Sequence, residues 1–208
     1  MASVYGLKIQ VGNKLDAEQE HLLVEKCRRQ NMEAYGLLVD AYESRIFGFV
    51  KGLVRNREEA LDVTQEVFVR AFQAFHRFDG RSSLRTWLFR IAHNLCIDRA
   101  RREERNVVRT SLDAIGNEDS AWDVPDQREN AEQSLLDQEL HAVVARVLER
   151  MSEKLRSVLV LHDQEDLSYE EIAKALSIPV GTVKSRLFLA RSYMQEHLKE
   201  YLEGVPRS

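Results

Sequence analysis

The stretch SYEEIAKALSIPVGTVKSRLFLARS, residues 168–192, decides the fold of the C-terminal part of the chain. Ser168 and Glu171 have the spacing of a capping box, in which each side chain satisfies a free backbone N–H at the start of a helix. This first helix ends before Pro179, because the residue that precedes a proline is driven out of the α region. A second helix is predicted to begin near Pro179. The stretch therefore predicts a helix-turn-helix.

The second helix of this motif has two chemically different sides. One side is apolar at helical spacing and is predicted to pack inward: Val183, Leu187, Ala190, Met194 and Leu198. The other side holds the candidate DNA-binding residues Thr182, Lys184, Ser185, Arg186, Phe188 and Arg191. No acid occurs between Ile178 and Tyr193. Such a face suits a DNA major groove, where cations and hydroxyls bond base edges or phosphates and an aromatic ring contacts a thymine methyl group.

An ordinary amphipathic helix pair with a solvated cationic face would give the same pattern. Capped helices are common, and helix-turn-helix patterns occur in unrelated folds. On this stretch alone both interpretations stay open.

The charge of the chain is distributed very unevenly. Its 208 residues carry a formal net charge of −4 and suit one or two domains, of which two small ones are preferred. Residues 81–109 hold eight Arg against three acids, a balance of +5, whereas residues 112–139 hold nine acids against one Arg, a balance of −8. Because the Debye length is about 8 Å at physiological salt, the two regions act separately. A basic patch can therefore bind DNA despite the acidic total.

Several classes of protein are excluded by simple signals. Cys27 and Cys96 fit no metal spacing and are expected to be reduced thiols. His93 and Cys96 could supply two zinc ligands, but two ligands do not close a tetrahedral site. The chain shows no signal peptide and no run of eighteen apolar residues. The sequence therefore predicts a cytoplasmic protein without metal, cofactor or membrane insertion.

The N-terminal half is predicted to be helical. After residues 1–15, expected to be a loose leader, a helix runs from Asp16 to about Arg29, and its apolar side consists of Leu22, Leu23 and Cys27. The apolar stripe of a second helix consists of Tyr35, Leu38, Tyr42, Ile46, Phe49 and Leu53. The third helix places Ala60, Val63, Val67, Ala71 and Phe75 inward. Its outward polar residues are Asp62, Gln65, Glu66 and Arg70. These are either solvated or part of a docking face.

A basic helix follows the loop FDGRSS, residues 78–83. Ser83 is a suitable cap, and Leu84, Leu88, Ile91 and Leu95 form the buried side, with Trp87 expected in the core. Another side carries Arg90, Asn94, Arg101 and Arg105, with Arg99 and Arg102 nearby. These residues are candidates for binding phosphate. The alternative is a solvated helix end whose arginines pair with Glu103 and Glu104.

The expected fold is all-α, with two small helical domains joined by a flexible acidic linker. Residues 106–134 contain Gly116, Pro125, many acids and few apolar groups, which is typical of a linker. Helical periodicity resumes at Leu135, with apolar residues that include Leu136, Leu140, Val144 and Met151, and again over 155–161. The predicted division is a leader 1–15, an N-terminal domain 16–105, a linker 106–134, a C-terminal domain 135–203 and a tail 204–208.

Three motifs in this order resemble those of bacterial extracytoplasmic-function sigma factors, members of the sigma-70 superfamily. They are DVTQEVF at 62–68, WLFRIAHNLCIDRARR at 87–102 and GTVKSRL at 181–187, and the resemblance covers about residues 24–200. It implies a non-enzymatic transcription initiation factor that binds core RNA polymerase and promoter DNA. An anti-sigma protein is a candidate further partner.

The resemblance also implies roles for the residues singled out above. Asp62, Gln65, Glu66 and Arg70 would dock core polymerase. The minus-ten element would be bound by Arg81, Ser82, Arg90, Asn94, Arg101, Arg102 and Arg105. The minus-thirty-five element would be read by the last helix, and the acidic linker would follow the nucleic-acid path of the polymerase. Leu189 departs from the basic residue of many relatives, which implies an altered promoter sequence.

Two other classes of protein fit the sequence less well. A response-regulator transcription factor has a similar closing domain, but residues 24–105 lack the alternating strands and acidic pocket of a receiver domain. A nuclease would have to use Asp163, Glu165 and Asp166 as metal ligands, and no His or Lys base lies at a matching spacing.

Overall fold

A computed structural model describes residues 17–54, 56–110 and 131–202, and gives side chains for 20–54, 56–102, 140 and 142–199. The described residues are helical, without strands. The α-helices are α1 (Ala17–Arg28), α2 (Met32–Lys51), α3 (Arg57–Ala74), α4 (Leu84–Thr110), α5 (Ala131–Arg150), α6 (Glu153–Leu159), α7 (Tyr169–Leu176) and α8 (Val180–Leu202). None of the helices in these ranges is long and apolar enough to span a membrane.

Helices α1 to α4 pack around a shared apolar core. Asn31 and Asn56 cap α2 and α3, because their side-chain oxygens accept hydrogen bonds from the Ala34 N–H at 2.8 Å and the Glu59 N–H at 2.7 Å. The Trp87 ring packs edge-on against Phe75 with 5.5 Å between ring centroids. Trp87 is buried, so its predicted place in the core is confirmed.

The loop between α3 and α4 is hydrogen-bonded to the end of α1. Arg28 of α1 donates two hydrogen bonds to the carbonyl oxygen of Phe78, at 2.7 and 3.1 Å. Gly80 turns the loop with a φ of 76°, a conformation that glycine adopts at little cost. The FDGRSS loop is therefore held at both ends, by Arg28 and by the start of α4.

Among the described side chains, the predicted apolar stripes are mostly confirmed, although Leu53, Ile91 and Leu155 are only half-buried and two residues are exposed. The side chains of Leu135 and Leu136 lie outside those described. Leu22 is 56% exposed and Leu140 is 39% exposed, although both were expected on inner faces. Helix α1 touches the core along a narrow side formed by Leu23, Val24 and Cys27, so Leu22 faces away. Leu140 lies at the first part of α5 with described side chains, and burial becomes continuous only from Val143.

Two helices extend into the region assigned to the linker. Helix α4 continues to Thr110, beyond the expected domain end at 105, and α5 begins at Ala131 rather than at Leu135. No glycine or proline interrupts the sequence between Leu84 and Thr110, so nothing in it stops the helix. The leader, residues 111–130 of the linker, and the tail lie outside the described residues.

The C-terminal half builds the predicted helix-turn-helix from α7 and α8. The Ser168 hydroxyl accepts a hydrogen bond from the Glu171 N–H at 3.2 Å, and the Glu171 carboxylate accepts one from the Ser168 N–H at 3.0 Å. The capping box is thus confirmed. Before it, residues Val160–Gln164 form a π-helical turn, and Asp166 takes a φ of 52°.

The turn between α7 and α8 requires a left-handed residue. Ser177 occupies it with a φ of 55°, and the Ile178 N–H donates to the Ala173 carbonyl at 3.0 Å. A side chain with a Cβ atom is disfavoured in this conformation, whereas glycine adopts it freely.

We expect Ser177→Gly to raise the free energy of unfolding by about 0.5–1 kcal/mol. Glycine relieves the strain of the left-handed backbone, and its greater conformational freedom in the unfolded chain offsets part of that gain. Chemical denaturation measures the change. Ser177→Ala is the matched control, and it should not stabilise the protein. Equal stabilisation by both variants would contradict this explanation.

Candidate nucleic-acid interface

The outward face of α8 presents an apolar pair surrounded by polar groups. Phe188 is 72% exposed and Leu189 is 54% exposed, while Lys184 and Ser185 are exposed beside them. The Lys184 ammonium lies 5.8 Å from the centre of the Tyr169 ring, a cation–π distance that ties it to the start of α7. Phe188 and Leu189 cannot be explained as core residues, which favours a binding role for this face.

The other predicted residues of α8 differ in their hydrogen bonds and in their exposure. The Ser185 hydroxyl lies 3.2 Å from the carbonyl oxygen of Gly181 and 3.1 Å from that of Thr182, so it donates back to its own helix and keeps only acceptor capacity for a ligand. Thr182 is half-buried. Arg186 is also half-buried and lies close enough to His93 of α4 to affect its protonation.

Arg191 is held by residues that precede α7. Its Nη2 atom donates to Asp163 Oδ1 at 2.6 Å and lies 3.2 Å from His162 Nδ1, while His162 Nδ1 is 2.8 Å from the same Asp163 oxygen. The His162 ring packs against Tyr169 with 5.3 Å between centroids. This support was not predicted from the sequence, where Asp163 was considered only as a metal ligand. The available signal was the place of both residues just before the capping box.

The basic face of α4 is accessible where side chains are described. Arg90, Asn94, Arg101 and Arg102 are exposed, and the side chain of Arg105 lies outside the described side chains. In the preceding loop, Arg81 is 91% exposed and pairs with Asp79 at 3.0 Å, and Ser82 is half-buried. The predicted residues therefore lie in the loop and along α4, and those with described side chains are at least partly exposed.

Helix α3 carries a separate face of mixed chemistry, which consists of two rows. Asp62, Glu66 and Arg70 form one row, in which Arg70 Nε donates to Glu66 Oε1 at 2.7 Å. Leu61, Gln65 and Val69 form the adjacent row, and both apolar members are exposed, at 43% and 50%. We call these six residues the α3 face. Its polar members were predicted from the sequence, whereas Leu61 and Val69 were not.

The two halves meet at a cluster of charged and polar groups. Arg45 of α2 donates from Nε to Glu165 Oε2 at 2.8 Å, and its Nη2 lies 2.5 Å from the same oxygen. Arg85 of α4 donates to the backbone carbonyl of Glu165 at 2.9 Å. Burial raises the pKa of the Glu165 carboxyl, and the Arg45 guanidinium opposes that shift.

Helix α7 adds further contacts to the start of α4. The Glu171 carboxylate lies 3.3 Å from the hydroxyls of Ser83 and Thr86 and 3.7 Å from Arg85 Nη2. Lys174 Nζ donates to the backbone carbonyl of Arg81 at 3.3 Å. We call the contacts of Arg45, Arg85 and the residues 81–86 with Glu165, Glu171 and Lys174 the clasp.

Neither alternative class fits these observations. Asp163 is paired with Arg191, Glu165 is paired with Arg45, and the described residues contain no group of three His, Cys, Asp or Glu side chains able to hold a metal. Burial raises the pKa of the Cys27 thiol to about 11 and that of Cys96 to about 12, so neither is an activated nucleophile. The described part of residues 24–105 has no strands from which to build a receiver domain.

The arrangement defines a two-part helical DNA-binding protein with a helix-turn-helix in its second part. Comparison with known proteins agrees with the geometry. The model of sigma-70 region 2 matches residues 38–106, and that of sigma-70 region 4 matches residues 141–194. The RNA polymerase sigma-H factor of Pseudomonas aeruginosa is 36% identical over 193 residues, which cover 90% of this chain and 98% of that protein.

A second relative indicates to which group of sigma factors the chain belongs. The ECF RNA polymerase sigma-E factor of Escherichia coli is 35% identical over 173 residues, covering 83% of this chain and 90% of that protein. The chain belongs to the extracytoplasmic-function sigma factors of the sigma-70 family.

Solved structures share the fold. The sigma factor RpoE of Bartonella quintana, solved with the anti-sigma factor NepR, superposes with a TM-score of 0.66 at 24% identity, covering 83% of this chain and 98% of that one. CnrH, solved with the cytosolic domain of CnrY, superposes with a TM-score of 0.60 at 24% identity, covering 86% and 97%.

His93 supplies a prediction about acid stability. Burial, and to a smaller extent the nearby Arg186 guanidinium, lowers the pKa of its imidazole to about 4. Because the folded pKa lies below the value of 6.5 for an ordinary histidine, this group's stabilising contribution is complete above pH 6.5 and is lost as the pH falls towards 4. We expect a loss of about 2–3 kcal/mol over that interval.

His93→Gln should remove the pH-dependent part of the free energy of unfolding that His93 contributes. The difference in stability between variant and wild type, measured by chemical denaturation, should therefore change between pH 6.5 and pH 4. A constant difference over the whole interval would show that His93 is not neutral in the folded protein.

Proposed function

We propose that this protein is a transcription initiation factor that binds core RNA polymerase and directs it to specific promoters. The observation that carries the proposal is that one chain holds two accessible cationic surfaces, on α4 and on α8, within the parts matched by sigma-70 regions 2 and 4. The named relatives are RNA polymerase sigma factors. The protein acts in the cytoplasm and has no catalytic activity of its own.

The C-terminal half reads the minus-thirty-five element with α8. Lys184 contacts phosphate or a base edge, and Phe188 contacts a thymine methyl group. Arg191 lies beside the DNA backbone, in a position that its hydrogen bond to Asp163 maintains. Ser185 offers its acceptor oxygen. Thr182 and Arg186 are half-buried and lie at the edge of this surface.

The N-terminal half binds the minus-ten element. Extruding a base costs a few kcal/mol, and each stacking contact returns about 1–3 kcal/mol, so melting needs a pocket together with backbone contacts. In this proposal Arg81 and Ser82 of the loop form the pocket rim. The phosphate contacts come from Arg90, Asn94, Arg101, Arg102 and Arg105.

The α3 face docks core polymerase. Its exposed apolar row gives buried contact area, and its acidic and basic row gives orientation, a combination suited to a protein interface. An anti-sigma protein is a further partner in this proposal, as in the solved complex of RpoE with the anti-sigma factor NepR.

The function is tested by adding the purified full chain to core RNA polymerase with genomic DNA and mapping the transcript starts. We expect a set of starts that is absent with core polymerase alone and that shares a motif at each of the two promoter elements. Absence of both polymerase binding and new starts would refute the proposal.

Lys184→Ala should weaken promoter binding by the holoenzyme about five- to tenfold and reduce the slope of affinity against salt by about one, because one cationic contact is lost. Promoter affinity at several salt concentrations is the measurement. Lys26→Ala, an equal charge change at an exposed position of α1, is the matched control. Affinity for core polymerase should be unchanged in both variants.

Leu61→Arg should weaken binding to core polymerase, the step that Lys184→Ala leaves unchanged. We expect a loss of at least about tenfold in affinity for core polymerase, since a charge replaces an apolar contact within an interface. Leu37→Arg, at an apolar position of α2 that is 62% exposed, is the control. An equal loss of affinity for core polymerase in both variants would show that the α3 face is not the docking surface.

A further inference from the structure

The outward face of α8 carries two adjacent apolar side chains that the packing of the protein leaves uncovered. Phe188 and Leu189 are both exposed, although neither is needed to complete the core. Apolar surface gains free energy when it is removed from water, so a neighbouring pair of this size favours a ligand with apolar groups of its own. The proposed function gives Phe188 such a partner and leaves Leu189 without a role.

The helical geometry shows how the pair is placed. At about 100° per residue, Ser185 lies opposite the buried row that begins with Val183. Phe188 follows about 60° to one side of the Ser185 direction, and Leu189 about 40° to the other side. The two apolar side chains therefore flank the outermost line of the helix, and a ligand that approaches along this line meets both.

The outermost line itself is open at the start of the helix. A Cβ atom at Gly181 would meet no other atom within 4 Å, so the backbone there is accessible to a closely approaching ligand. The Ser185 hydroxyl donates back to the carbonyl oxygens of Gly181 and Thr182, at 3.2 and 3.1 Å. It therefore faces a ligand as an acceptor, which suits the amino group of adenine or cytosine.

The charge of this face identifies the ligand. Lys184 and Arg191 are exposed along one border of the outermost line, and no acid occurs between Ile178 and Tyr193. A polyanion with apolar groups between its two charged strands fits this pattern. In the DNA major groove the apolar group is the C5-methyl of thymine.

We infer that Leu189 is a specificity-determining residue, which acts with Phe188 to select two thymine methyl groups in the minus-thirty-five element. The inference rests on the proposed function and adds to it a second apolar contact. A helix with its side chains is about 10–12 Å wide, so side-chain ends about 100° apart are separated by about 8–9 Å. Each A·T pair has one such methyl group, and base pairs rise about 3.4 Å each. The two thymines therefore belong to different base pairs, at most about two steps apart.

The same contacts disfavour G·C pairs. The major-groove edge of a G·C pair presents only hydrogen-bonding groups, and an apolar side chain that covers them leaves them without a partner. Leu189 thus selects by attraction to a methyl group and by exclusion of the alternative base pair.

Replacement of single thymines by deoxyuracil tests the contact, because it removes the methyl group and keeps the base pair. The probe is a promoter fragment from the mapped transcript starts, bound by the full chain together with core polymerase. We expect two positions in the minus-thirty-five element at which deoxyuracil weakens binding about threefold to fivefold, the effect of one buried methyl group. Competition between modified and unmodified fragments measures the loss.

Variants assign each position to a side chain. In Leu189→Ala one of the two positions should become insensitive to deoxyuracil, and in Phe188→Ala the other. Leu22→Ala, at an exposed position of α1, is the matched control and should keep both sensitivities. Because each variant is compared with itself on two fragments, a general loss of stability does not produce this pattern.

Leu189→Arg should change which base pair is preferred. Arginine bonds the N7 and O6 atoms of guanine, so selection from promoters randomised over the minus-thirty-five element should replace the A·T pair assigned to Leu189 by G·C. We expect the preference to shift by about tenfold at this pair and to stay unchanged at the pair assigned to Phe188. A merely structural role would weaken binding to all sequences alike.

The inference is overturned if the wild-type holoenzyme binds its promoters but no thymine of the element is sensitive to deoxyuracil, or if Leu189→Ala and Leu22→Ala give the same pattern. An element with fewer than two A·T pairs would overturn it too. Failure of the wild type to bind polymerase or to produce new starts is a different result, and it would refute the proposed function and this inference together.

Discussion

A buried carboxylate next to a guanidinium is the interaction on which the arrangement of the two halves depends. The side chain of Glu165 is only 10% exposed, and that of Arg45 is 20% exposed. Removing one member of such a pair leaves an uncompensated buried charge, which typically costs about 3–5 kcal/mol. Replacing the whole pair by apolar groups is often neutral, so its presence here indicates specificity of placement more than stability.

Around this contact, α4 serves both halves. Its apolar side completes the core with α2 and α3, and its N-terminal end receives Glu171 and the backbone of Glu165. One helix therefore links the packing of the N-terminal half to the position of the helix-turn-helix. The α3 face lies outside this contact, since its described side chains have no part in the clasp.

Features that depend on neighbouring residues could be predicted from the sequence. The capping box of Ser168 and Glu171, the inner stripe of α3 and the core position of Trp87 follow from spacing that a single helix imposes. The exposed positions of Lys184 and Ser185 on α8 were also predicted from spacing along the helix. The sequence could not show that the hydroxyl of Ser185 donates to its own helix, since that depends on the rotamer.

Features that depend on distant residues could not be predicted. Glu165 was considered only as a metal ligand, because its real partner, Arg45, lies 120 residues earlier. The restraint of Arg191 by Asp163 and the half-buried position of Arg186 against α4 likewise require the folded chain. Helix α4 continues past the predicted domain end at 105, because residues 106–110 contain no glycine or proline that would end it.

The exposed position of the α3 face has a consequence for what can bind there. Leu61 and Val69 take no part in the contact between the two halves, so a protein partner can cover them while the pair of Arg45 and Glu165 stays intact. Occupation of this face therefore does not require the two halves to rearrange.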